Sequence, residues 1–188
     1  PLLDAHPLSE PAWMREITRH FSAGDRVFIS NSLPIREMNL ALNSPEEGVE
    51  FFKANDCDAF IAFGGGSSMD AAKAMACAVA NPGKSVRKLA GYFKGLNGKT
   101  APAPIYAVPT TAGTGSEVTV AAVISDPDSH KKLVIVDPRI VPKMAALDPL
   151  LMTGLPPSIT AATGMDALTH ANEAFVGNWA TPYSDGMA

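Results

Sequence analysis

Asp166 and His170 stand four residues apart in TGMDALTHANEAF (163–175), and that spacing puts both on one face of a helix with Cβ atoms about 5–6 Å apart. A carboxylate oxygen and an imidazole nitrogen at that reach can share one divalent ion, though two protein ligands are too few for a tight site. The same pair also suits an ordinary helix with a polar stripe. Two other stretches have the composition of an anion site. GGGSSMD (64–70) offers glycines that let a ligand approach the backbone, ahead of a helix whose free N–H groups favour a phosphate. PTTAGTGSE (109–117) adds three threonines, a serine and two glycines. Taken singly, the first could be a tight turn without a ligand and the second a solvated loop. Both follow an apolar run directly, and the carboxyl ends of parallel strands are where α/β proteins bind nucleotides.

The elements that must position these groups alternate along the chain. DRVFIS (25–30) suits a buried strand, and SPEEGVEFFKAN (44–55) places Pro and Glu early, as a helix start prefers. DAFIAF (58–63) reads as a second buried strand running through the glycine turn into the helix GGGSSMDAAKAMACAVA, a parallel α/β unit. APIYAVPTT (103–111) is a further strand. VTVAAVISD (118–126) and HKKLVIVDP (130–138) are joined so briefly, through 127–129, that a hairpin is expected. From about residue 150 or 155 the apolar residues take helical spacing.

Composition narrows the functional classes. The chain has 188 residues, 46% hydrophobic and 18% charged, as in soluble globular proteins. A net charge of −4 without clustered Lys and Arg argues against a nucleic-acid surface, and no apolar run is long enough to span a bilayer. The start, PLLDAHPLSEPAW, lacks the pattern of a signal peptide and reads as an internal beginning. Cys57 and Cys77 share no CxxC spacing, so reduced structural thiols and a cytoplasmic location are expected.

FGGGSSMDAAKAMA, VPTTAGTGSEVT, KLVIVDPRIVP, DPLLMTGLPPSITAATGMDALTHANEAF and WATPYSD, in that order over residues 43–188, resemble the successive motifs of the iron-containing (group III) alcohol dehydrogenases. The resemblance implies an α/β fold: a Rossmann-like dinucleotide-binding domain over 43–152, then the start of an all-helical metal-binding domain over 153–188, truncated here, with 1–42 an atypical N-terminal segment. It also implies an oxidoreductase moving hydride between NAD or NADP and a small alcohol or aldehyde. Fe(II) or Zn(II) would polarise the alcohol oxygen as a Lewis acid. Carried over by motif, Gly65, Gly66 and Ser67 face the pyrophosphate, Thr110, Thr111 and Thr114 the second side of the cofactor, and Lys132 the adenosine ribose. Asp166 and His170 become the first two metal ligands. NAD is favoured because many relatives with these motifs use it. The expected partners are the substrate and further copies of the chain, with neither nucleic acid nor membrane.

The sequence also departs from that family. Two more metal-binding histidines belong to its pattern, and His6, His20 and His130 lie in no matching motif, so weak metal binding or none is expected. Residues 8–38, with NSLPIR, resemble instead a segment of the thiamine-dependent SEPHCHC synthase of menaquinone biosynthesis, whose acidic-substrate contacts would fall on Ser32 and Arg36. A join near 38–44 would make the chain a chimera or a divergent family member. The rival functional reading is an inactive fragment that binds nucleotide or another subunit. Leu168 and Phe175 would then lack partners, which predicts low stability or self-association.

Overall fold

The structure, a computed structural model, describes residues 19–20, 45–95, 100–126 and 129–188. The strand expected at 25–30, the join at 38–44, and Ser32 and Arg36 lie outside the described residues.

Helix α1 (Pro45–Ala54) carries Lys53 in its last turn, where a cation suits the helix dipole, and seats Phe52 on Phe60 with the rings stacked at 4.6 Å. Strand β1 (Phe60–Gly64) runs parallel to β3 (Ile105–Pro109), with Phe60 opposite Ile105 and Gly64 opposite Pro109. The pair ends together, so both loops emerge at one edge. A short strand β6 (Met144–Ala145) extends this sheet beyond β3. Continuous apolar runs predict strands buried on both faces, but Phe60, Ala62, Ile105 and Ala107 are buried while Ile61 and Tyr106 stay 43% and 40% exposed. The reason is one-sided cover: helix α2 (Gly66–Ala80) packs on β1 and β3, and its Met69, Ala72 and Met75 join their inward residues in one core. Alanine gives α2 both a high helix propensity and the small profile needed for close approach.

The expected hairpin forms: β4 (Ala121–Ser125) is antiparallel to β5 (Lys132–Val136), with Ala121 opposite Val136 and Ser125 opposite Lys132. It starts three residues later than the apolar run does. After the short helix α3 (Val86–Leu89), strand β2 (Gly91–Tyr92) lines up parallel to β5 on its other side. The helical end consists of α4 (Pro157–Val176) and α5 (Pro182–Met187), the latter opened by a Thr181–Ser184 capping box. No residue of α4 is buried, and Leu168 and Phe175 are more than half exposed.

The thiols differ sharply in environment. Cys77 is fully buried on α2, and its pKa is pushed up to about 11, chiefly by burial and then by the Asp137 charge; Cys57 is partly exposed. At pH 8 iodoacetamide is therefore expected to modify one thiol in the folded protein, with Cys77 reacting on the order of a hundredfold more slowly until denaturant is added. Equal labelling of both thiols in mass spectra of the folded protein would contradict this packing.

Candidate functional site

The two loops predicted from the sequence meet at the carboxyl ends of β1 and β3. Gly64 turns the chain with φ of 144°, a conformation open mainly to glycine, and Gly65 caps α2 in extended geometry. The Thr110 amide donates to the Gly64 carbonyl at 2.9 Å and closes the second loop on the first. A methyl group built on Gly65 would lie 3.4 Å from the Thr111 Cγ2 and Oγ1 atoms, and one on Gly66 would lie 3.1–3.3 Å from the Thr114 side chain. The glycines thus leave a narrow slot lined by threonine.

The hydroxyls of Thr111 and Thr114 are buried there without a hydrogen-bond partner, and so is that of Ser68 in the first turn of α2. Three such orphans on adjoining elements are unusual, because nearly all buried polar atoms in folded proteins are paired. They lie beside the N-terminus of a 15-residue helix, whose first N–H groups have no intrahelical acceptor. Hydroxyl and amide donors converging on one slot fit a phosphate-bearing ligand. Of the expected residues, Gly65, Gly66, Thr111 and Thr114 are brought together, and Thr110 is buried at the hinge of the second loop. Ser67 faces solvent, and the buried serine is its neighbour Ser68. Lys132 stands apart from the slot at the start of β5, where its ammonium donates to the Ser125 hydroxyl at 2.8 Å.

A group that sequence reasoning passed over lies behind the slot. Lys73 is completely buried, and its ammonium donates to the Ser116 and Thr119 hydroxyls and to the Thr119 and Ala121 carbonyls, all at 2.9–3.0 Å. Burial pulls its pKa down to about 8 against the opposing pull of Asp70 and Glu117. The Ser116 hydroxyl donates in turn to Asp70 at 2.6 Å, and the other Asp70 oxygen accepts from the Val123 amide. The D-x-x-K spacing inside an alanine-rich helix was the available signal, since i and i+3 share a face.

Helix α4 approaches the second loop through Gly113. A methyl group there would collide with the Thr163 carbonyl oxygen and lie 3.2 Å from the Ala167 Cβ. At about 100° per residue, 163, 166, 167 and 170 share one face of the helix, so the face bearing Asp166 and His170 is the one turned toward the threonine loop. His170 Nε2 stands 3.5 Å from Asp166 Oδ1, both side chains half exposed. One carboxylate and one imidazole suit a divalent ion, and among the described residues no group of three His, Cys, Asp or Glu side chains forms a fuller ligand set.

Comparison with known proteins identifies the family. The family model described as iron-containing alcohol dehydrogenase matches residues 3–149, and the C-terminal model of the same family matches 160–188. The first match takes in residues 8–38, so the resemblance of that stretch to a thiamine-dependent synthase finds no support. The chain is 46% identical over 143 residues to the NAD-dependent methanol dehydrogenase of Bacillus methanolicus, covering 76% of this chain and 36% of that protein. It is 43% identical over 146 residues to the lactaldehyde reductase of Escherichia coli, covering 76% and 37%. Among solved structures, sulfoacetaldehyde reductase from Bifidobacterium kashiwanohense in complex with NAD+ superposes with a TM-score of 0.66 at 38% identity, again covering 76% of this chain and 37% of the other. The chain spans little more than a third of the length of these relatives. With model matches over most of its residues and a parallel α/β fold that superposes on a solved relative, the chain belongs to the iron-containing alcohol dehydrogenase family.

Proposed function

We propose that the chain carries the nucleotide side, and the first part of the metal side, of an NAD-dependent oxidoreductase acting on a small alcohol or aldehyde. Residues 43–152 would form the dinucleotide-binding domain and 153–188 the beginning of the helical metal-binding domain. The observation that carries the reading is the slot with the unpartnered hydroxyls of Thr111 and Thr114, beside the N-terminus of α2 whose first turn holds the unpartnered Ser68 hydroxyl. The methanol dehydrogenase relative is NAD-dependent, and the sulfoacetaldehyde reductase relative is solved in complex with NAD+.

In this reading the amides of Gly66 and Ser67 and the hydroxyls of Thr111 and Thr114 hold the pyrophosphate, with Thr110 fixing the loop and Lys132 serving the ribose. Asp166, through a carboxylate oxygen, and His170, through a ring nitrogen, would hold Fe(II) or Zn(II). When bound, the metal would supply Lewis acidity at the substrate oxygen, and the nicotinamide would be the hydride acceptor. The chain's own part is orientation, because the helix face of Asp166 and His170 is set against the loop that would grip the cofactor.

The test is calorimetric titration with NAD+, with Gly66→Val as the comparison. Its branched side chain would collide with Thr114 and fill the slot, so affinity is expected to fall by at least about a hundredfold, the loss of several charge-assisted bonds. Absence of binding by the parent, or unchanged binding by the variant, would sink the nucleotide reading. NAD+ binding without alcohol-dependent NADH formation in added Fe(II) or Zn(II) would favour a nucleotide-binding module, consistent with the two-member ligand pair among the described residues.

A further inference from the structure

We infer that Asp70, Lys73 and Ser116 form a buried positioning triad that holds the threonine loop at its working distance from the glycine turn, and so sets nucleotide affinity from behind the site. The inference rests on the nucleotide reading of the slot.

The geometry of the loop is the starting point. Residues 110–116 are tied to the β1–α2 unit at both ends. At one end the Thr110 amide bonds Gly64; at the other the Ser116 hydroxyl accepts from Lys73 and donates to Asp70. Thr111 and Thr114, the residues lining the slot, lie between the anchors. The Ser116 hydroxyl makes the second anchor nearest the slot, and it joins two residues one turn apart on α2. Lys73 sits seven residues past Gly66, roughly 10 Å along the helix, and its ammonium is occupied by Ser116, Thr119 and the Ala121 carbonyl. It acts through the loop.

An apolar residue could fill the same volume, so the charge needs a reason. Three ammonium protons serve four acceptors at 2.9–3.0 Å, and the charged groups facing Lys73 are Asp70 on its own helix and Glu117 on the loop. Desolvation makes the ammonium costly, yet Asp70 also takes the Val123 amide of β4, so one cluster pins α2, the loop and the hairpin. A neutral amine has one proton fewer for the same acceptors. The anchor therefore weakens as pH rises through about 8, the value to which burial lowers Lys73.

The experiment uses the full chain and reads NAD+ affinity together with amide hydrogen exchange in the parent, Ser116→Ala and Ser116→Thr. Ser116→Ala is expected to weaken NAD+ binding about tenfold, the loss of one charge-assisted bond, and to speed exchange across Thr111–Gly115 while the core of α2 keeps its protection. Ser116→Thr restores the hydroxyl and should return affinity to within about threefold of the parent. Raising the pH from 7 to 9 should weaken binding by the parent, and Lys73→Met should abolish that dependence. Unchanged affinity and exchange in Ser116→Ala would overturn the inference, and so would faster exchange spread evenly over α2 and the loop. If the parent binds no NAD+, the nucleotide reading falls, and the exchange pattern alone decides whether the triad positions the loop.

Discussion

Replacing Gly113 by alanine is expected to cost about 2–6 kcal/mol of stability and to push α4 away from the threonine loop. Two effects add at this position. Its φ of 110° is strained for any residue with a Cβ, worth about 1–3 kcal/mol. The added methyl would also collide with the Thr163 carbonyl oxygen, a backbone atom that cannot swing aside as a side chain does, and overpacking of this kind costs about 1–3 kcal/mol. Gly115→Ala is the control. There φ is 63° and nothing lies within 4 Å of the new methyl, so only left-handed strain of about 1–2 kcal/mol remains. Urea unfolding of the three proteins would separate the terms, and equal losses in both variants would mean that α4 does not rest on Gly113. The result reaches beyond stability, because Thr163 and Ala167 share a helix face with Asp166 and His170. Displacing that face would move the two candidate metal ligands away from the candidate nucleotide slot, although neither has been altered.

The slot was legible in the sequence because its chemistry comes from residue types with few other uses. Gly65 and Gly66 after a strand, and Thr111 and Thr114 after the next parallel strand, must converge once the strands are in register, and Phe60–Gly64 against Ile105–Pro109 supplies that register. Asp166 and His170 were legible for a similar reason, since helical periodicity alone puts i and i+4 together. Other features follow from packing that no local pattern encodes. Ser67 and Ser68 are chemically identical and adjacent, and the helix phase decides that Ser68 is buried. Strands β2 and β6 are two residues each, too short for any alternation to appear. Lys73 is concealed by its type: a lysine in a helix reads as a solvated residue, and its burial depends on acceptors 43 to 48 positions away. The exposure of Ile61 and Tyr106 depends on which face α2 covers, and an apolar strand does not report that.

The second large effect is expected at Arg139, where replacement by methionine should cost about 3–5 kcal/mol at pH 7, the usual consequence of stranding one member of a buried ion pair. Asp137 is completely buried, and it accepts from the Arg139 amide, Nε and Nη2 at 2.9–3.1 Å, which also fixes the turn after β5. No room exists for a compensating water on the Gly95 side, where even a methyl group would come within 2.6 Å of the carboxylate and 2.8 Å of the Cys77 sulfur. Burial pushes the Asp137 pKa up, but the Arg139 hydrogen bonds and charge outweigh it and leave the carboxyl below its ordinary value. A depressed folded-state pKa means that the pair's stabilisation is fully present above the unfolded value, near 3.8, and is lost only as pH falls through the lower folded value. In Arg139→Met the sign reverses. Burial, the largest influence, is then opposed only by the backbone amide of residue 139 and raises the pKa above the unfolded value, so the variant recovers stability as acid neutralises the stranded carboxylate. The gap between parent and variant in urea unfolding should therefore be widest at pH 7 and narrow toward pH 4.5. A gap that is constant or widens in acid would show that Asp137 is not the charge that Arg139 compensates. Asp137→Asn in the Arg139→Met background should narrow the gap at pH 7 as well, because the cost lies in the unpaired charge and not in the missing guanidinium.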